Sequence, residues 1–343
     1  MQLRPLYLCL GAFLMTGLLS ACSSDTPQQV NVYSARKAEL IEPLLKRFTA
    51  DTGIQVNLVT GKADALIQRL KAEGRASPAD LLITVDAGRL YRAKQMQLTQ
   101  TIEQTALTSL VPGAYRDPEG HWLGLSLRAR PIMYARDRVS PDSLSTYEAL
   151  ADEHWHGRVC IRSSNNIYNQ SLVASMIAAS GIDAVEQWAG DFVDNFARNP
   201  VGGDRDQIKA VAAGQCDVAV ANTYYLLGML TSANQAEKHA AQQVSVFWPN
   251  QGNRGTHVNI SGIAMTQSAK NIEQAQQLMT YLLQPEAQAW YAQKNGEYPV
   301  IEGPEVHPLL QRWGNFKKDN LNVNRLGELN TAAVQVMDRA GWR

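Results

Sequence analysis

The most constraining feature of this chain is a run of strand-like and helix-like segments in alternation, beginning at Val30. Val30 to Tyr33 reads as a short strand. Lys37 to Asp51 reads as a helix, with Leu40, Ile41, Leu44, Leu45 and Phe48 on one face and Gly53 as its stop. Ile54 to Val59 is a second strand, Leu66, Ile67 and Leu70 mark a second helix, and Leu81 to Val85 is a third strand. Strands separated by amphipathic helices cannot pair by hairpins, so they predict parallel βαβ units and an α/β fold. The alternation loosens after residue 100 and a second series opens near Arg128. Ile132 to Tyr134 is strand-like, Leu144, Tyr147 and Leu150 fit a helix, and Arg158 to Arg162 is a strand. A helix with Leu172, Val173, Met176 and Ile177 inward follows, and Asp204 caps another before Cys216. Val258 to Met265 returns as a strand, ahead of helices at Gln274 to Leu283 and Pro285 to Lys294 and a largely helical last forty residues.

The first residues stand outside this pattern. Arg4 precedes an apolar run from Leu6 to Leu19, too short to span a bilayer but suited to the core of an export signal. It closes on Leu19-Ser20-Ala21-Cys22, which resembles a bacterial lipoprotein signal, with Cys22 lipidated and made the new N-terminus. The expected layout is a signal peptide at 1–21 and a Ser-, Pro- and Gln-rich tether at 22–29. About 320 residues then remain, more than one core usually holds, so two lobes are expected.

Lys and Arg total 32, as do Asp and Glu, so nothing in the charge balance points to nucleic acid or an anionic membrane surface as partner. Cys9 lies in the signal and Cys22 at its end, which leaves Cys160 and Cys216, each beside an apolar run. Export into an oxidising compartment favours a disulfide between them; two buried thiols are the alternative.

Three constellations carry chemistry. Asn222-Thr223-Tyr224-Tyr225 closes the apolar run Val218 to Ala221 and precedes Leu226-Leu227, the start of a helix. Neighbours on a strand point to opposite faces, so the two phenols converge only if the chain turns there. The bend where a strand gives way to a helix is where open α/β sheets hold ligands. A phenol titrates at about pH 10 and ligates poorly until a strong cation strips its proton. Phenolate is a hard anionic oxygen, suited to Fe³⁺ rather than copper or zinc; ordinary hydrogen-bonding tyrosines are the alternative. Ser163-Ser164-Asn165-Asn166-Ile167-Tyr168 leaves a strand and enters a helix, a natural cradle for an anion or oxygen ligand, or simply a capped helix. Arg128-Ala129-Arg130 places two guanidiniums on one strand face, where one can grip an anion bidentately, unless both are solvated. His154 and His156 do not match a common zinc spacing. No G-x-S-x-G elbow, Walker loop or G-x-G-x-x-G is present, so an enzyme reading has no residues to stand on.

Together, Val32-Tyr33-Ser34-Ala35-Arg36, Gly61-Lys62-Ala63-Asp64, Pro78-Ala79-Asp80-Leu81-Leu82, Thr84 to Leu90, Arg128-Ala129-Arg130, Ser163 to Gln170 and Asn222 to Tyr225 resemble the periplasmic ferric-ion-binding proteins of bacterial ABC importers. The likeness runs over nearly the whole exported chain and is nearest the cyanobacterial and proteobacterial branch. It implies a two-lobed periplasmic binding protein of type 2, each lobe a mostly parallel sheet flanked by helices, joined by a hinge. The expected lobes are 30–127 with 257–302, and 128–256 with 303–343. It also implies Tyr168, Tyr224 and Tyr225 as ferric ligands, and Arg128 as holder of carbonate or another small anion, with Arg130 second and Arg36 third. Many relatives carry a His-Tyr pair where this chain has Lys37 and Ala38, neither of which ligates ferric ion, so an anion or water is expected to complete the shell.

The implied function is capture of Fe³⁺ as cargo by a monomeric, membrane-anchored lipoprotein facing the periplasm or outer surface, for delivery to an ABC permease and its ATPase. An oxyanion site built from Ser163, Ser164, Asn165 and Arg128, of the sulfate, phosphate or phosphonate type, is the rival on the same fold. A surface adhesin or sensor partner is the rival from another class.

Overall fold

The structure, a computed structural model, describes residues 28–343. The expected signal peptide, Cys22 and most of the tether lie outside the described residues. Among the described residues no helix is long and apolar enough to cross a membrane.

Two sheets organise the chain. The first has five strands in the order β2-β1-β3-β9-β4: β1 Gln29–Ser34, β2 Gln55–Thr60, β3 Leu81–Val85, β4 Trp122–Ala129 and β9 Val258–Met265. The second has four, in the order β6-β7-β5-β8: β5 Ile132–Ala135, β6 Val159–Cys160, β7 Val218–Val220 and β8 Val244–Phe247. Helices flank both sheets, which gives the α/β, two-lobed architecture.

The sheets are mixed rather than mostly parallel. β1 pairs in parallel with β2 and β3, but β9 runs antiparallel to both β3 and β4. In the second sheet only β6 and β7 are parallel, while β5 is antiparallel to β7 and β8. The reason is connectivity. The chain leaves the first sheet through β4 and returns from the second through β9, so the returning strand runs against its neighbours. Every residue of β4 and β9 is buried, as expected for strands covered on both faces.

Local chemistry explains the element ends. The helix Glu42–Thr52 stops at Gly53, whose φ of 76° is the left-handed turn a side chain resists. The helix expected around Leu144 to Leu150 is instead two short 3₁₀ turns, Pro141–Ser143 and Glu148–Ala151. All three apolar residues are buried, but Asn250 takes the local backbone groups: its N–H donates to the Ser145 carbonyl at 2.9 Å and its side-chain oxygen accepts the Tyr147 N–H at 3.0 Å. β6 is only two residues long because the Arg162 carbonyl is taken by side chains, Asn169 Nδ2 at 2.8 Å and Trp342 Nε1 at 2.8 Å. The helix Pro285–Trp290 ends in a π turn, Tyr291–Asn295, closed by Gly296 at φ 65°. That turn delivers Glu297.

Cys160 and Cys216 form a disulfide with their Cα atoms 5.8 Å apart. The lobes also touch away from the sheets. Asp86 has φ 79°, caps the helix Ala87–Gln95 through the Gly88 N–H, and accepts from Ser171 Oγ at 2.8 and 2.9 Å and from Asn259 Nδ2 at 2.9 Å. Ser171 belongs to the helix Ile167–Ser180 of the second lobe, so one buried carboxyl spans the junction. The helix Asn324–Glu328 packs on both of those helices, and Gly327 lies so close to Tyr91 that a Cβ there would sit 2.3 Å from the tyrosine's own Cβ.

Candidate metal centre

Two strand-to-helix turns deliver the phenols. β6 runs through Ile161 to Asn166 into the helix Ile167–Ser180, where the Asn166 side chain accepts the Tyr168 N–H at 3.2 Å. β7 runs through Ala221 and Asn222 into the helix Thr223–Leu230, so Tyr224 and Tyr225 fall in its first turn. A helix sets neighbours about 100° apart instead of opposed, and the two rings lie 4.4 Å apart, centroid to centroid. The Tyr224 hydroxyl accepts from Asn222 Nδ2 at 3.0 Å, and it shares with the Tyr168 hydroxyl a donor on Arg128. Tyr168 and Tyr224 therefore meet at one point, with Tyr225 against Tyr224, all three half-buried.

Arg128, near the end of β4, occupies that point. Its guanidinium carbon stands 4.8 Å from the Tyr168 ring centroid and 4.6 Å from that of Tyr224, and it donates to both hydroxyls, at 3.2 Å to Tyr168. A cation thus already sits among the phenols. Burial alone would raise the Tyr168 phenol, but the Arg128 charge and hydrogen bonds from Arg128 and Tyr224 outweigh it, and its pKa lies below the usual phenol value. Burial pushes Tyr224 up, reinforced by its tyrosine neighbours and Asp204 against the pull of Arg128. Tyr225 is pushed up to about 12, by burial and then by Tyr168 and Asp204.

Two carboxylates anchor the surrounding arginines, each serving two. Asp204, at the start of the helix Asp204–Ala212, accepts from Arg130 at 2.9 Å and Arg162 at 2.6 Å. Arg130, 1% exposed, also donates to Asn169 at 2.5 Å and Asn222 at 3.2 Å. Glu297 accepts from Arg36 at 2.5 Å and from Ser126, and its other oxygen is 3.5 Å from Arg128 Nε. Burial would raise the Glu297 carboxyl, but Arg36 and Arg128 hold it below the usual carboxylate value.

The arrangement brings Tyr168, Tyr224, Tyr225 and Arg128 together. Arg130 and Arg36 lie just outside, each committed to a carboxylate. Lys37 points to solvent, 77% exposed and 3.6 Å from Glu39. Sequence reasoning took Asp204 for a helix cap and missed its pairing with Arg130 and Arg162; it missed Glu297 altogether. No local spacing signals Glu297, whose partner Arg36 is 261 residues away. Among the described residues no group of three or more His, Cys, Asp or Glu side chains is placed to hold a metal.

The sequence profile of the bacterial extracellular solute-binding proteins matches residues 44–318. The chain belongs to that family. Within it, the chain is 46% identical to iron uptake protein A1 of Synechocystis, over 99% of this chain and 98% of the relative. Among solved structures it is similar to a Trichodesmium FutA protein in complex with iron and citrate, with a TM-score of 0.90, 48% identity and coverage of 92% and 100%. A ferric binding protein from Campylobacter jejuni superposes with a TM-score of 0.86 at 37% identity, covering 92% and 100%.

Proposed function

We propose that this solute-binding protein captures ferric ion between its lobes through Tyr168, Tyr224 and Tyr225, and delivers it to an ABC permease and its ATPase. The observation that carries the reading is that Tyr168 and Tyr224 gather on the Arg128 cation with the Tyr225 ring against Tyr224. Relatives named for iron uptake and ferric binding support the choice of cargo.

Fe³⁺ replaces the guanidinium among the phenols, and each phenol that binds gives up its proton. The Arg128 charge already draws the Tyr168 phenol below its usual value. The ion's charge then drives Tyr224 and Tyr225 to ionise despite their burial. Three phenolates balance Fe³⁺, while the four arginines around the site face only two carboxylates. That surplus of positive charge favours a small anion such as carbonate beside the metal, held by Arg128 once it leaves the phenols. Arg130 and Arg36 are the weaker anion partners because each is already paired with a buried carboxylate. Lys37 takes no part. Because binding releases protons, affinity falls as pH falls.

The reading divides the lobes at 30–127 with 257–302 and at 128–256 with 303–343, although β4 of the first sheet runs on through Arg128 and Ala129. Export as a lipoprotein anchored through Cys22 completes the reading. The test is a visible-range titration of the soluble domain with ferric citrate, beside calorimetry with sulfate and phosphate. A charge-transfer band saturating near one equivalent supports ferric capture. A colourless protein that binds an oxyanion overturns it.

A further inference from the structure

The three phenols arrive on two parallel units that differ in how firmly they are held. β7, which leads to Tyr224 and Tyr225, lies inside the second sheet, between β6 and β5. β6, which leads to Tyr168, is the edge strand. It pairs with β7 through only two residue pairs, Val159 with Val218 and Cys160 with Ala219, plus a bridge from Val159 to Phe196. A two-residue edge strand is a weak footing for a metal ligand, because so short a ladder opens locally at little cost.

The disulfide sits on that weak link. It joins Cys160 of β6 to Cys216 just before β7, a separation of 56 residues. Tyr168 and Tyr224 are separated by the same 56 positions, so each half-cystine stands eight residues ahead of a phenol. Both sulfur-bearing residues are buried, 1% and 3% exposed, among Met133, Ile208, Val211 and Ala219. The bond therefore fixes the origin of one ligand-bearing turn against the origin of the other, at matched distance along the chain.

We propose that the Cys160–Cys216 cross-link is a positioning element of the metal site: it holds Tyr168 in register with Tyr224 and Tyr225, and without it ferric ion is bound more weakly. This rests on the ferric reading above. Arg162 and Asn169, which follow β6, supply a second tie between the turns. Through Asp204 and Arg130 they reach Asn222 on the other turn, but by side-chain hydrogen bonds, whereas the disulfide restrains the two origins covalently.

The test compares wild type with Cys160→Ala/Cys216→Val, which keeps the apolar volume, and with Cys160→Ala alone, which breaks the bond with the least change in packing. Near-ultraviolet circular dichroism selects the variant that is folded at the assay temperature. Ferric affinity is then read by competition with citrate, and the visible band by its position and intensity. The expected result is a tenfold or greater loss of affinity with a shifted or weakened band in a folded variant. A folded variant that binds within twofold of wild type and shows the same band overturns the proposal and leaves ferric capture intact. A wild type with no band removes the ferric reading, and this proposal with it.

Discussion

Replacing Glu297 by Gln perturbs the site through a single charge. The carboxylate is buried, and two equally buried guanidiniums depend on it: Arg36 at 2.5 Å and Arg128 at 3.5 Å. At 3.5 Å and an effective dielectric constant of about 20, the Arg128 attraction alone is worth about 5 kcal/mol before desolvation. Removing one member of a buried pair leaves the other charge uncompensated, at a net cost of about 3–5 kcal/mol. The amide oxygen still accepts from Ser126, so the lower end applies. At about 2–4 °C per kcal/mol for a chain of this size, 3 kcal/mol lowers the melting midpoint by about 6–12 °C. The sign with pH follows from the depressed carboxyl. Its folded pKa lies below the ordinary 4.5, so its contribution is complete above that value and is lost as pH falls through the folded pKa. The gap between wild type and Glu297→Gln, measured by thermal unfolding of the iron-free protein, is therefore widest near neutrality and narrows on acidification. A variant that melts with wild type at pH 7 refutes the claim that Glu297 neutralises these two arginines.

Two further predictions concern the lobe junction and its surroundings. Gly327→Ala places a methyl 2.3 Å from the Tyr91 Cβ and is expected to cost about 1–3 kcal/mol in thermal unfolding; an unshifted midpoint means the helices separate freely there. His257 is held neutral, with its pKa lowered to about 3 by burial and then by Arg254 and Arg130. Below its ordinary 6.5 the unfolded chain binds a proton that the native state refuses, so stability drops by up to about 1.4 kcal/mol per pH unit on acidification. His257→Gln is expected to flatten that slope between pH 6.5 and 4, and an unchanged slope refutes the assignment.

Much of this was legible in the chain because the signals are local. β3 and β9 fall on Leu81–Val85 and Val258–Met265, where the apolar runs put them, and Gly53 ends its helix as its place in the pattern predicts. The strand-to-helix bend at Tyr224 and Tyr225 was legible for the same reason, whereas the choice of a ligand role for its phenols came only from the family resemblance. What escaped is non-local. The direction of β9 is set by the route of the chain through the other lobe, which no window of residues records. The helix expected at Leu144 to Leu150 fails because Asn250, a hundred residues on, claims its backbone groups. Glu297 and Asp204 matter through partners brought together only by folding, so neither stands out from other acidic residues in the sequence.

The central claim is that three phenols from two helices ligate one ferric ion. The direct measurement is the ferric-citrate titration of wild type beside Tyr168→Phe, Tyr224→Phe and Tyr225→Phe, followed by the visible charge-transfer band. The account predicts one band saturating near one equivalent in wild type and a weakened, shifted band with lower affinity in each variant. A wild-type band that survives unchanged in any of the three contradicts that residue's place among the ligands, and survival in all three contradicts the site.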